Sequence, residues 1–369
     1  MHTDISIAHN IAQNRKARKL TQEDLAGFLG VTKASVSKWE TGQSYPDLEL
    51  LPRIATYFGV SIDELVGYEP QMSRADIRVT CTRLRKEFAE RPFAQAHEEC
   101  RALVRDYFSC YPLLVQIATL YLNHLTLAGP EERDGLIAET ADLCQRVRHG
   151  STSSTHIRLA ESIEALLLLM AGDARQAADL LGDAAEPDAG ADILLARAYT
   201  ALGQTDKADE TLQSMIYQAL VLNLNRLSEM ALLHAADHAK LAAIHGRTRA
   251  LIDTFGLEAT YANIATIHLG FATAYIMGGD AEGAIGCLED YERSCRALEF
   301  PLKVHGDEFF DKIDIWFEET SGIGTEPPRD ESLIKQNLLA SVTMNPAFIP
   351  LADDARFKRI VASLQEIAR

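Results

Sequence analysis

Lys33 to Thr41 reads as a short helix in which Val36 and Trp39 point inward, leaving Lys33, Ala34, Ser37 and Lys38 on the outer face. Two ammonium groups, a methyl and a hydroxyl on one exposed strip form a set suited to the edges of base pairs. Lys33 can donate to O6 or N7 of guanine, whereas Ala34 offers only apolar contact, which in a major groove favours a thymine methyl. Lys38 has the reach for either a base or a phosphate. The alternative is a packing unit whose lysines are merely solvated. Packing alone, however, does not require small polar residues and lysines to collect on a single outward face.

Short elements on either side must hold that strip. Ile7 to Lys19 has apolar residues at Ile7, Ile11 and Ala12 and basic residues at its end, as a first amphipathic helix would. Thr21 with Asp24 three residues on is a relative of the capping box. Leu25, Ala26, Phe28 and Leu29 then supply the buried face of a second helix ending at Gly30. Val31 seals the turn, Thr32 caps the third helix and Gly42 stops it. Asp47 to Gly59 gives a fourth helix, with Pro52 near its start, where proline is tolerated. Ser61 to Glu64 is a full capping box for a fifth, closed by Gly67.

The string LTQEDLAGFLGVTKASVSKWETGQSYPDLELLPRIATYFGVSIDELVG resembles the phage-repressor (XRE, Cro-like) helix-turn-helix, over roughly residues 5–67. Its TQxxLA, VxxxxVSxWExG and VSxxxL blocks stand in the family's order and spacing. The resemblance implies that Thr21 and Gln22 contact phosphate, that Lys33, Ala34 and Lys38 face base edges, and that Thr32, Ser35 and Thr41 lie at the DNA backbone, with Ser37 on the same surface. It also implies an internal ion pair, Arg15 with Glu40, joining the first and third helices.

Residues 69–76 fall in a stretch of Gly, Pro and polar residues and read as a linker, which makes residues 1–68 a DNA-binding domain and 77–369 a second domain. Three segments of that body align without gaps: Ala165, Leu168, Gly172, Ala177, Leu181; Ala196, Tyr199, Gly203, Ala208, Leu212; and Ala272, Tyr275, Gly279, Ala284, Leu288. Small residues let two antiparallel helices approach, and the glycine turns the chain between them. This spacing resembles the tetratricopeptide repeat. A degenerate pair is expected around Leu227 to Leu257, another from Ala118 and Tyr121, and the tail NPAFIPLADDARFKRIVASL resembles the closing segment of such proteins. The expected fold is all-α, a five-helix head followed by an α-solenoid.

The net charge is −17, which at first sight opposes nucleic acid. Residues 1–45, however, carry six basic against four acidic residues, so the acidic surplus lies behind them. A locally basic face with an acidic body is the polarity that a one-sided DNA binder needs. The longest apolar run, Ala165 to Ala171, is far shorter than the roughly 20 residues that span a bilayer, so a cytoplasmic protein with no membrane partner is expected. Six cysteines without a CxxC pair read as buried thiols. His234, His238 and His245 have helical spacing but no HExxH motif, and no metal or cofactor is expected. No phosphate-binding glycine loop and no GxSxG elbow occurs, so an enzyme is not expected.

A phage-repressor head on a tetratricopeptide body is similar in layout to the Rgg and PlcR type of peptide-responsive regulators. That similarity implies asparagines clamping a peptide backbone, with Asn123, Asn223, Asn225 and Asn263 as candidates. The alternative for these amides is capping or lining turns. The function expected is a homodimeric regulator of double-stranded DNA on an inverted repeat, its body binding a peptide or protein effector. The rival is a protein-interaction scaffold whose head is a docking module.

Overall fold

The computed structural model describes residues 6–68, 71–182, 190–260, 263–320 and 327–369, and among these it is helical with no strand. The head consists of α1 (Ile7–Ala17), α2 (Gln22–Leu29), α3 (Lys33–Glu40), α4 (Leu51–Phe58, led in by a 3-10 turn at Leu48–Leu50) and α5 (Ile62–Val66). Thr21 Oγ1 accepts from Asp24 N at 3.1 Å while the Asp24 carboxylate accepts from Thr21 N at 2.7 Å. Ser61 and Glu64 repeat the exchange at 3.0 and 2.7 Å. Each box satisfies amides that the first helical turn leaves unpaired. Gly30 takes φ +74°, a left-handed conformation that a β-carbon opposes, and so sets the sharp turn between α2 and α3.

Ile7, Ile11, Leu25, Leu29, Val36, Trp39, Ile54, Phe58 and Leu65 close a core of their own. Phe28 corrects the sequence reading. Leu25, Ala26 and Leu29 fill the inward arc of α2, so Phe28 is left 46% exposed, stacked on Tyr57 at 4.2 Å between ring centroids. α1 also ends two residues before Lys19, which adopts φ +58°.

The body runs through α6 (Arg74–Glu90), α7 (Phe93–Asp106), α8 (Tyr111–His124), α9 (Pro130–Gly150), α10 (Ser154–Met170), α11 (Ala174–Leu181), α12 (Ala191–Ala201), α13 (Thr205–Leu233) and α14 (His238–Thr254). It continues with α15 (Leu257–Thr260), α16 (Ile264–Met277), α17 (Ala281–Ala297), α18 (Ile313–Thr320), α19 (Glu331–Thr343) and α20 (Ala355–Ile367). Ser73 caps α6, so that helix begins inside the stretch 69–76 read as a linker; Glu69 and Pro70 lie outside the described residues.

The three aligned segments become the pairs α10/α11, α12/α13 and α16/α17, turning at Gly172, Gly203 and Gly279 with φ +81°, +72° and +81°. The degenerate pair differs from expectation. With no glycine or proline to interrupt it, α13 runs unbroken for 29 residues, and its second half packs beside α14 and α16. Two cores form, one from Ile77 to Leu167 and one from Tyr217 to Leu364.

Each core holds an imidazole packed on a ring, buried at His124 and half-buried at His245. His124 stacks on Phe88 at 4.5 Å, bonds the Leu120 carbonyl through Nδ1 at 2.8 Å, and has no partner for Nε2 among the described residues. His245 stacks on Phe271 at 4.6 Å and lies 3.1 Å from Tyr275 Oη. Burial pushes both rings down to about 4, with nearby arginines adding to the effect. Both stay neutral in the fold, whereas the unfolded chain takes up their protons below about pH 6.5. The stability of the body should therefore fall as the pH drops from 6.5 to 5, by up to about 1.4 kcal/mol per ring per pH unit. Thermal unfolding across that window tests this, and an unchanged melting temperature contradicts it.

Candidate nucleic-acid interface

Thr32 places α3 at its correct start, with Oγ1 accepting from Ser35 N at 3.1 Å and lying 2.9 Å from Ser35 Oγ. Val36 and Trp39 anchor the inner side. Thr32, Lys33, Ala34, Lys38 and Thr41 are exposed, while Ser35 and Ser37 are half-buried. The structure thus brings one continuous strip of small groups and two ammoniums to the surface. Lys33 Nζ lies 3.5 Å from the Glu23 carboxylate, with both side chains well exposed, a pair weak enough to release the lysine to a competing anion. Thr41 donates to the Ser37 carbonyl at 2.9 Å, so its methyl rather than its hydroxyl is free to face outward.

Thr21 and Gln22 stand at the N-terminus of α2, where unpaired amides favour an anion. The Thr21 hydroxyl is engaged with Asp24 at 2.7 Å. Gln22 is half-buried and donates through Nε2 to Glu40 Oε2 at 2.9 Å. That carboxylate also receives both arms of Arg15, Nε to Oε1 at 2.6 Å and Nη2 to Oε2 at 2.9 Å, and Arg15 Nη1 donates to the Leu20 carbonyl at 2.6 Å. One carboxylate therefore fixes α1, the start of α2 and the end of α3 together. Burial works to raise the Glu40 carboxyl, but hydrogen bonds from Arg15 and Gln22 outweigh it and hold the group below the usual carboxylate range.

Two positioning residues escaped the sequence reading. Arg53 donates to the carbonyls of Leu29 at 3.1 Å and Phe28 at 3.0 Å, tying α4 to the open C-terminal end of α2. Arg18 donates to the carbonyl of Phe58 and to Asn14 Oδ1 at 2.8 Å, tying α1 to α4. A basic residue facing another helix's C-terminus is the only sequence signal for either, and it carries no fixed spacing.

The four asparagines do not converge. Asn123 on α8 donates to the Thr119 carbonyl at 2.8 Å, and Asn225 on α13 donates to the Val221 carbonyl at 2.8 Å, each bonding back along its own helix. Asn223 accepts from Arg226 at 3.1 Å and lines a groove between α13 and α14 of about 550 Å³ with Leu227, Met230, Leu251 and Phe255. Asn263 is exposed at the start of α16. Of the histidines considered for metal, His234 ends α13, His238 begins α14, and His245 is packed as described above. All six cysteines are buried thiols.

A helix-turn-helix family model matches residues 11–65. The chain is 42% identical over 66 residues to the HTH-type transcriptional activator BcrR of Enterococcus faecalis, a match covering 18% of this chain and 32% of BcrR, so it spans about a third of that relative. It is 44% identical over 55 residues to the uncharacterized HTH-type transcriptional regulator MJ0272 of Methanocaldococcus jannaschii, covering 15% of this chain and 83% of that protein. Among solved structures, the apo form of the competence regulator ComR from Streptococcus vestibularis matches with a TM-score of 0.29 and 16% identity, over 87% of this chain and 100% of that one.

Proposed function

Because the chain belongs to the helix-turn-helix transcriptional regulators, we propose that it is a sequence-specific regulator that inserts α3 into the major groove of double-stranded DNA. The observation carrying this reading is the outward strip of α3, with Lys33, Ala34 and Lys38 exposed on a helix whose opposite side is locked by Trp39 and Glu40. In this reading Lys33 and Ala34 face base edges, Lys38 a base or phosphate, and Thr21, Gln22, Thr32, Ser35, Ser37 and Thr41 the backbone. The regulator acts as a homodimer, two copies of α3 entering successive major grooves about 34 Å apart on an inverted repeat.

The body, read as tetratricopeptide-type pairs, binds the effector, a peptide or protein. The groove beside Asn223 supports this: its floor is apolar, and Arg226 and Arg247 at its edge have no carboxylate partner among the described residues. No described helix is long and apolar enough to cross a membrane, and the regulator works in the cytoplasm, where its DNA is.

Footprinting with the full chain tests the proposal. Discrete protected half-sites are expected, with affinity falling about a thousandfold or more between roughly 50 and 200 mM salt. Lys33→Ala relaxes selectivity at one base pair per half-site, by about 1–3 kcal/mol. Binding that ignores salt and sequence overturns the assignment.

A further inference from the structure

Between the two cores of the body lies a stretch that buries almost nothing large. From Leu167 to Tyr217, the only buried apolar side chains among the described residues are Ala177, Ala196 and Ala208. α12 packs on α13 through Ala196, and on its opposite side it presents Leu194, Leu195, Ala198, Ala201 and Leu202 to solvent, the three leucines 63%, 46% and 70% exposed. Spacings of four, seven and eight residues put these side chains on a single stripe. A helix with an apolar stripe on each of two sides is built for two neighbours.

The aligned repeat shows what the outer stripe is not. Of its counterparts on α16, Met277 is exposed, but Gly270, Phe271, Ala274 and Gly278 are closed against the second half of α13 and the turn that follows it. A β-carbon at Gly270 would clash with Ser228 Oγ, one at Gly278 would clash with the Ala235 carbonyl oxygen, and Phe271 is fully buried. α12 carries leucine at both glycine positions. It cannot lie against another helix as closely as α16 lies against α13, so its stripe is shaped for a different surface.

We propose that the Leu194–Leu202 stripe of α12 is the surface by which two copies of this chain pair, antiparallel across a two-fold axis at Ala198. The stripe is self-complementary about that residue. Leu194 and Leu202 stand four positions to either side, so crossing at Ala198 sets Leu194 of each copy against Leu202 of the other, and Leu195 against Ala201, while the small central side chains let the helices approach. In a chain of net charge −17, residues 190–205 hold one Asp192 and one Arg197, so two copies meet without net repulsion. The surface rests on the homodimer reading above and gives it a location.

Sedimentation of the full chain tests it. The wild type is expected to dimerise at micromolar concentration. Leu194→Glu and Leu202→Arg each weaken self-association by about 100-fold, because each leaves charge unpaired in an apolar contact. Both sites are exposed in the monomer, so each variant keeps the helicity of the wild type, and its melting temperature loses only the concentration-dependent part that association adds. Mixed in equal amounts, the two variants form a heterodimer in which the new carboxylate meets the new guanidinium; failure to do so overturns the antiparallel crossing. Variants that dimerise like the wild type overturn the surface while leaving a homodimer intact. A wild type that stays monomeric at about 100 µM, and protects single half-sites, overturns the dimer itself and assigns the stripe to another partner.

Discussion

In the variant Ala34→Glu, DNA affinity falls by about 100-fold or more while the head remains folded. Ala34 is exposed in the first turn of α3, where a carboxylate interacts favourably with the helix dipole, so helix stability is unchanged or slightly raised. On a duplex the same carboxylate would enter a groove walled by phosphates, lose water and meet like charge, and it would draw Lys38, four residues on, away from the DNA. Lys33→Ala, by comparison, removes one donor and adds no repulsion. Filter binding or fluorescence anisotropy of the variant, alongside its circular dichroism, separates loss of contact from loss of fold. Wild-type affinity in Ala34→Glu would take α3 out of the groove.

Arg15→Met should cost the head about 3–5 kcal/mol, the usual consequence of leaving a buried carboxylate without its cation. The Glu40 side chain is only 7% exposed and Arg15 12%, and a domain of some 60 residues has about 3–9 kcal/mol of stability in total. Most of the head population therefore unfolds near physiological temperature. The double variant Arg15→Met, Glu40→Leu recovers more than half of the loss, since apolar replacement of both partners removes the desolvation cost with the attraction. Urea unfolding followed through Trp39, which is buried on α3, measures both; equal stability of the two variants would contradict the coupling. The same carboxylate makes the head acid-labile. Its depressed pKa means that its stabilisation is whole above about pH 4.3 and is lost as the pH falls through the lower folded value.

The head was legible in the sequence because its determinants are local. Thr21 with Asp24, Ser61 with Glu64 and Gly30 each act across three residues or fewer, and the structure places them at the helix ends expected of them. Phe28 was misread because one turn of α2 can bury only the arc already taken by Leu25, Ala26 and Leu29. In the body, the alanine and glycine offsets located three helix pairs. The unbroken α13 was not foreseen, since nothing in its residues says where a continuous helix changes neighbours. Contacts over long separations were equally silent: Gln213 donates to Asp311 at 2.8 Å, and Tyr291 Oη donates to the Leu338 carbonyl at 2.7 Å, across spans that have no periodic signature. The exposed positions of α3 followed from residue type and helical phase. The asparagines did not resolve into a site, because an amide on a helix finds its own backbone four residues back as readily as a ligand.

The core of the head draws on no residue beyond Val66. A ribosome that has released the first 70 or so residues has therefore already delivered a unit able to fold, before any of the body's own core can form. Messages cut short in the body would yield fragments that keep a folded head, and under the proposed function those ending before α12 would lack the pairing surface and hold DNA only as single, weaker half-site binders.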